Sequence, residues 1–394
     1  MKLKVFTAFS GYDSQCMALD KLGIDYELVG WSEIDKYAIQ AHNAVYPQWA
    51  DRNFGDISKI DWNEVPDFDL FTYSFPCQDI SSAGKQRGLQ KGSETRSSLL
   101  WECQKAIEAK RPKYCLMENV AALVSEKFRP FFLEWERLMC RYGYVNYNKV
   151  LNAKDYGIPQ NRERIFMVSV LDPNKAFYWP EPMKLEKRLK DVLEQNVDEK
   201  YYLSDRMIKG FLKTDANKSH GHNFNPKDGD GIAFTIRTAP GSRVDDTFIK
   251  ELTSVQKDNL LAEPLRIPQA TKKGFIEVMQ GGLFDMSYPE SKTRGGRVQE
   301  GGMVSPTLMA SSEGACLYEG KEEQSYRIRK LTPKECFRLM GVSEGDIEKI
   351  QKSGVSQSQQ YKMAGNSIVV DVLEHIFRKL FVDTGQESQQ LLLF

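Results

Sequence analysis

Through about the first 175 positions, short apolar runs alternate with stretches whose hydrophobic residues recur every three to four positions. Residues 4–9, 26–31, 70–73, 114–117 and 164–170 read as strands, because each is a compact run rich in β-branched and aromatic side chains. Between them, residues 13–21, 36–45, 97–109 and 128–142 carry the amphipathic spacing of helices. Such alternation predicts a parallel sheet with helices on both faces. From about 185 to 325 the periodicity fades into Gly, Asn, Asp, Ser, Thr and Pro, which predicts an irregular, loop-rich domain with short strands. Order returns at Tyr326. Thr332-Pro333 is a helix start for residues 332–340, and a last helix is expected over 369–380. The Gln/Ser-rich tail over 384–394 is expected to fray. No internal repeat is visible.

Composition narrows the class. At 394 residues the chain exceeds one ordinary core and is expected to form two lobes. It is 41% hydrophobic and 27% charged, with no apolar stretch long enough to cross a bilayer. The first nine residues run straight into a strand pattern without a signal-peptide core. Seven cysteines (16, 77, 103, 115, 140, 316 and 336) make no C-x-x-C pair. That is neither a disulfide framework nor a zinc site, so a reducing, cytoplasmic setting is expected and no metal. His220 and His222 sit in a polar loop with no cysteine near. With 54 basic and 54 acidic residues the net charge is zero, which neither supports nor excludes a nucleic-acid partner.

Five segments carry candidate chemistry. Phe9-Ser10-Gly11 ends the first strand in a turn into a helix, an arrangement that suits a nucleotide-like ligand, though glycine also occurs there for steric reasons alone. Glu33 ends the second strand, about twenty residues on, where an acid commonly accepts from a ribose or simply caps a helix. Pro76-Cys77-Gln78 follows the third strand. A thiol at a strand end has the position of a nucleophile, although free cysteines are often small core residues. Glu118 ends the fourth strand, where a carboxyl group is costly unless paired or protonated. Gln160-Asn-Arg162-Glu-Arg164 opens the fifth, with arginines able to hold planar or anionic groups.

Taken in order, these segments are joined by Gly55-Asp56-Ile57, by Arg329-x-Leu331-Thr332-x-x-Glu335-Cys336 and by Gly365-Asn366-Ser367. The series resembles that of the cytosine-C5 DNA methyltransferases, over roughly residues 3–172 and 326–380. The resemblance implies a Rossmann-like α/β domain binding S-adenosylmethionine, with a mixed, mainly parallel sheet and a smaller, irregular target-recognition domain. The corresponding boundaries are 1–184 for the catalytic and cofactor-binding domain, 185–345 for target recognition, and 346–394 for a segment returning to the catalytic domain.

By the same resemblance, Cys77 is the nucleophile that adds to C6 of a flipped-out cytosine. Glu118 in its protonated form bonds the base at N3, and Arg164 stabilises the charge that builds there. Arg162 joins this catalytic set as a supporting contact. Phe9, Gly11, Glu33, Ile34, Asp56, Pro76, Leu99 and Asn366 line the cofactor, which leaves as S-adenosylhomocysteine. The loop after the cysteine brings Ser81, Lys85 and Arg87 to DNA, together with Gln160. Arg294 and Arg297 read guanine or grip phosphate, and Thr307 lies beside the flipped base. The partner is double-stranded DNA, met by a monomer in a bacterial or phage-infected cell, acting alone or beside a restriction endonuclease.

One departure stands out: Gly11 is followed by Tyr12-Asp13-Ser14 where the family carries further glycines, and Asp13 is positioned to cap the next helix. Two alternatives remain open from sequence. One keeps the chemistry on tRNA, which the long middle region disfavours; the other is a non-catalytic DNA-binding homologue, which predicts damage at Cys77, Glu118 or Arg164, all three intact.

Overall fold

A computed structural model describes residues 2–76, 99–216, 224–252, 265–278, 283–285, 298, 315–317 and 326–383. The chain packs as two units, Met1–Glu251 with Ile328–Phe394, and Leu252–Arg327. Residues 185–251, grouped from sequence with target recognition, therefore pack with the first unit, and the chain returns to it at Ile328.

The first unit is built on a sheet of β1 (Leu3–Ala8), β2 (Tyr26–Ser32), β3 (Leu70–Tyr73), β4 (Tyr114–Val120), β5 (Val145–Asn152) and, after the two-residue β6 (Gln160–Asn161), β7 (Glu163–Val170). Their order is β2-β1-β3-β4-β7-β5, with β7 antiparallel to both neighbours. The helices α1 (Ser14–Lys21), α2 (Lys36–Val45), α3 (Leu100–Lys110) and α4 (Arg129–Arg141) fall where the amphipathic spacing predicts them. Strand residues alternate between two buried clusters. Val5, Leu70, Leu116 and Val168 enter one; Phe6, Phe71, Met117 and Met167 enter the other. Burial of both faces is the reason these strands read as continuous apolar runs. The edge strand β5 escapes that pattern because it is polar and largely exposed outside its last two residues.

Downstream, α5 (Asp205–Ala216), β8 (Ala233–Phe234) and β9 (Phe248–Leu252) complete the outward path. The second unit holds two antiparallel pairs, β10 (Leu265–Pro268) with β11 (Phe275–Val278) and β12 (Leu283–Asp285) with β13 (Ala315–Leu317). Ile267, Val278, Phe284 and Val298 form its small core. The chain re-enters through β14 (Tyr326–Lys330), which pairs with β9. Then follow α6 (Pro333–Arg338), α7 (Glu344–Lys352), α8 (Gln357–Asn366) and α9 (Val370–Phe377), the last adding apolar residues to the core with α1.

Arg329 anchors this return. Its guanidinium bonds both oxygens of Glu335 at 2.8 and 2.9 Å, and its Nε reaches Glu251 at 2.6 Å. The side chains of Arg329 and Glu335 are fully buried. Glu335 also closes a capping box with Thr332 at the start of α6. Arg329→Ala strands that buried carboxylate, so we expect a loss of about 3–5 kcal/mol. A denaturant midpoint equal to wild type would contradict this assignment of the pair.

Candidate active site

The carboxyl ends of β1, β2, β3 and β4 lie along one edge of the sheet, and the antiparallel β7 begins at that edge. Because β2 and β3 flank β1 on opposite sides, the strand order reverses at β1, and crevices at such switch points bind ligands.

One half of the edge is a turn held in unusual backbone. Phe9, Gly11 and Asp13 all have positive φ, at 56°, 60° and 68°, which is uncommon for the two that are not glycine. Asp13 is fixed from three sides. Its carboxylate accepts from the N–H of Cys16 at the start of α1 and from the hydroxyl of Thr7, and it lies 3.5 Å from Nε2 of buried His42. Asp13 is thus the cap of α1, as the sequence predicts. Glu33 crosses to the same turn: one carboxylate oxygen accepts from Gly11 N–H at 3.0 Å, the other from Ile34 and Asp35 N–H at 2.8 Å each. Beside it, Ile34 is 71% exposed, a large apolar side chain available to a flat ring. Asn53 bonds Glu33 and Gly55, carrying the chain toward Asp56. Ser58, through its hydroxyl and N–H, holds the Asp56 carboxyl below the usual carboxylate range. Leu99 is half-buried against the second core cluster, and Asn366 is exposed at the end of α8. A carboxylate, an exposed apolar side chain and a positive-φ turn fit a nucleoside with its ribose and base.

The other half is polar and tightly paired. Glu118 sits opposite Phe166 and Arg164 opposite Val120, so the two are diagonal neighbours on one sheet face. Arg164 Nε lies 3.3 Å from one oxygen of Glu118, and the Ser74 hydroxyl donates to the other at 2.6 Å. Glu118 is only 5% exposed, and both its oxygens are engaged. Asn119 turns its amide to the Phe75 carbonyl at 2.9 Å, pinning the backbone one residue before Pro76. Neither Ser74 nor Asn119 stands out as a site residue from sequence; the signal was their place beside Pro76 and Glu118 at adjacent strand ends.

Two expected site residues are spent elsewhere. Gln160, expected at DNA, has no exposed surface; its amide N–H₂ donates to the Leu339 carbonyl and its oxygen accepts from Ile236 N–H. Arg162, expected in the catalytic set, is 2% exposed and donates to the carbonyls of Ile236, Gly365 and Ser367 at 3.0, 3.0 and 2.8 Å. Arg162 knits the start of β7 to the segment carrying Asn366, while Gln160 ties β6 to the end of α6 and to Ile236. Gly365 has no room to spare there, since a Cβ would lie 2.4 Å from the Arg237 carbonyl carbon. Cys77, Ser81, Lys85, Arg87, Arg294, Arg297 and Thr307 lie outside the described residues. Among the described cysteines, burial pushes the thiols of Cys16, Cys103, Cys115 and Cys336 up, which suits core residues rather than nucleophiles. Among the described residues no His, Cys, Asp and Glu grouping could hold a metal, and no helix is long and apolar enough to cross a membrane.

A family model described as C-5 cytosine-specific DNA methylase matches residues 3–382. The type II methyltransferase M2.ScrFI of Lactococcus lactis subsp. cremoris is 33% identical, with 96% of this chain and 99% of that protein covered. The orphan methyltransferase M.SPRI of Bacillus phage SPR is 31% identical, with 96% and 97% covered. Among solved structures, S. pombe Dnmt2 methyltransferase superposes with a TM-score of 0.61 at 18% identity over the whole of both chains. Entamoeba histolytica methyltransferase EhMeth gives 0.64 at 16% identity, with 97% and 98% covered. At such identities the structural likeness speaks for the fold alone.

Proposed function

The chain belongs to the C-5 cytosine-specific DNA methylase family and is a DNA cytosine-C5 methyltransferase, and from that premise we propose how its residues divide the work. S-adenosylmethionine, when bound, supplies an electrophilic methyl group carried on a sulfonium. Gly11 N–H and the Glu33 carboxylate would hold its ribose end, with Ile34 against the adenine and Asp56 at the adenine amino group. Phe9, Pro76, Leu99 and Asn366 close around it.

The Cys77 thiolate adds to C6 of the target cytosine, forming a C–S bond and pushing the C5=C6 electron pair toward C5. Glu118 gives a proton to N3, and Arg164 offsets the charge spread over the ring. C5, now enamine-like, would take the methyl group, leaving the sulfonium sulfur as the thioether of S-adenosylhomocysteine. Loss of the C5 proton to solvent restores the double bond and expels Cys77 as thiolate, and N3 returns its proton to the Glu118 carboxylate. Since C6 is shielded within a stacked duplex, the base is flipped out first. Ser81, Lys85 and Arg87, which follow Cys77 in the sequence, would contact the DNA backbone. Target reading falls to the second unit, whose span contains Arg294, Arg297 and Thr307. The enzyme works as a cytoplasmic monomer, alone or beside a restriction endonuclease; the relatives' names, type II and orphan, include both settings.

The observation that carries this division is the Ser74–Glu118–Arg164 cluster at the ends of β3 and β4 and the start of β7; Cys77 follows three residues after Ser74 in the sequence. The test is methyl transfer from labelled S-adenosylmethionine to mixed genomic DNA with nucleoside analysis. 5-Methylcytosine in the product is expected, and sequencing the same DNA gives the target site. Label appearing in tRNA and not in DNA would overturn the reading.

A further inference from the structure

The Tyr12-Asp13-Ser14 departure has a structural counterpart 355 residues away. The Tyr12 hydroxyl bonds the Ser367 hydroxyl at 2.5 Å, and Ser367 follows Asn366 directly. Tyr12 itself is 1% exposed, its ring edge-on to Phe337 at 5.5 Å. Burial pushes its phenol up, so the hydroxyl stays neutral and able to donate. Ser367 is in turn tied to the catalytic face, because its carbonyl accepts from Arg162 at 2.8 Å. Arg162 lies two residues before Arg164, the partner of Glu118.

Glycines after Gly11 would leave this turn free to relax. Here the two residues that follow Gly11 are both held: Tyr12 by Ser367, and Asp13 by Thr7, Cys16 and His42. We propose that Tyr12, acting through Ser367, is a positioning residue that keeps the Phe9–Gly11 turn and Asn366 in register as two walls of one cofactor site. This rests on the proposed S-adenosylmethionine site. Tyr12 need not touch the ligand; it removes the freedom of two walls to separate, a cost otherwise met at binding.

Tyr12→Phe keeps the buried ring and deletes only the hydroxyl, while Ser367 retains its bond to the Ala364 carbonyl. We expect the dissociation constant for labelled S-adenosylmethionine, read by equilibrium dialysis, to rise about 3- to 10-fold, the scale of one neutral hydrogen bond. KM for DNA should stay within about twofold. Ser367→Ala should give a rise at least as large, since it also loses the bond to Ala364, and the double variant should match Ser367→Ala, because both substitutions remove the Tyr12 bond. Unchanged cofactor affinity in Tyr12→Phe would overturn the proposal, as would additive effects in the double variant. Absence of binding by the wild type would remove the underlying cofactor reading and the proposal with it. Those failures are distinguishable, since the wild-type measurement comes first.

Discussion

Cys77→Ala is expected to lower methylation of DNA by about 10⁴-fold or more, the scale of losing a covalent nucleophile. Ground-state cytosine offers no nucleophilic carbon at C5, and only addition at C6 makes one. Few groups could substitute. Cys16, Cys103, Cys115 and Cys336 are buried, and burial holds each as the thiol. Cys140 is exposed, but it contacts Asn146, whose pairing with Ser169 places it at the opposite end of the sheet from Glu118. Cofactor affinity and melting temperature should match wild type, since a thiol is replaced by a methyl group of smaller size. Single-turnover methylation within about a hundredfold of wild type would remove covalent addition from the mechanism.

Glu118→Gln is expected to reduce the methylation step by about 10²–10⁴-fold, the range for a positioned proton donor. The substitution nearly preserves shape. Ser74 can still donate to the amide oxygen, and the strand pairing of Glu118 with Phe166 is through the backbone. What disappears is the acidic proton for N3, on a side chain 3.3 Å from Arg164. The loss should therefore fall on kcat rather than on the dissociation constant for S-adenosylmethionine. A variant that keeps kcat within about threefold, or that loses it only through a lower melting temperature, would assign Glu118 a structural role instead.

The two kinds of expectation fared differently for physical reasons. β1, β2, β3, β4 and β7 were legible because both faces of each are buried, so each run is mostly apolar. β5 was not, because an edge strand gains its place from backbone bonds that leave side chains free to be polar. α5 and α7 carry amphipathic spacing that was passed over inside polar, glycine-bearing stretches, whereas α8 shows little such spacing. Loop-rich chain looks the same whether it wraps a neighbouring core, as residues 185–251 do, or builds a separate one.

By itself the sequence determined the α/β frame and the family, and placed Gly11, Glu33, Glu118 and Arg164 at strand ends, because such residues are marked by the apolar runs they end or open. Only the tertiary structure decided where Gln160 and Arg162 point. An amide or guanidinium serves a phosphate, a base or a buried carbonyl equally well, and the carbonyls of Ile236, Leu339, Gly365 and Ser367 that claim these two lie 74 to 205 residues away. The same holds for Tyr12 and Ser367: each is an ordinary hydroxyl in sequence, and their bond exists because the end of α8 and the turn after β1 are brought together by the fold.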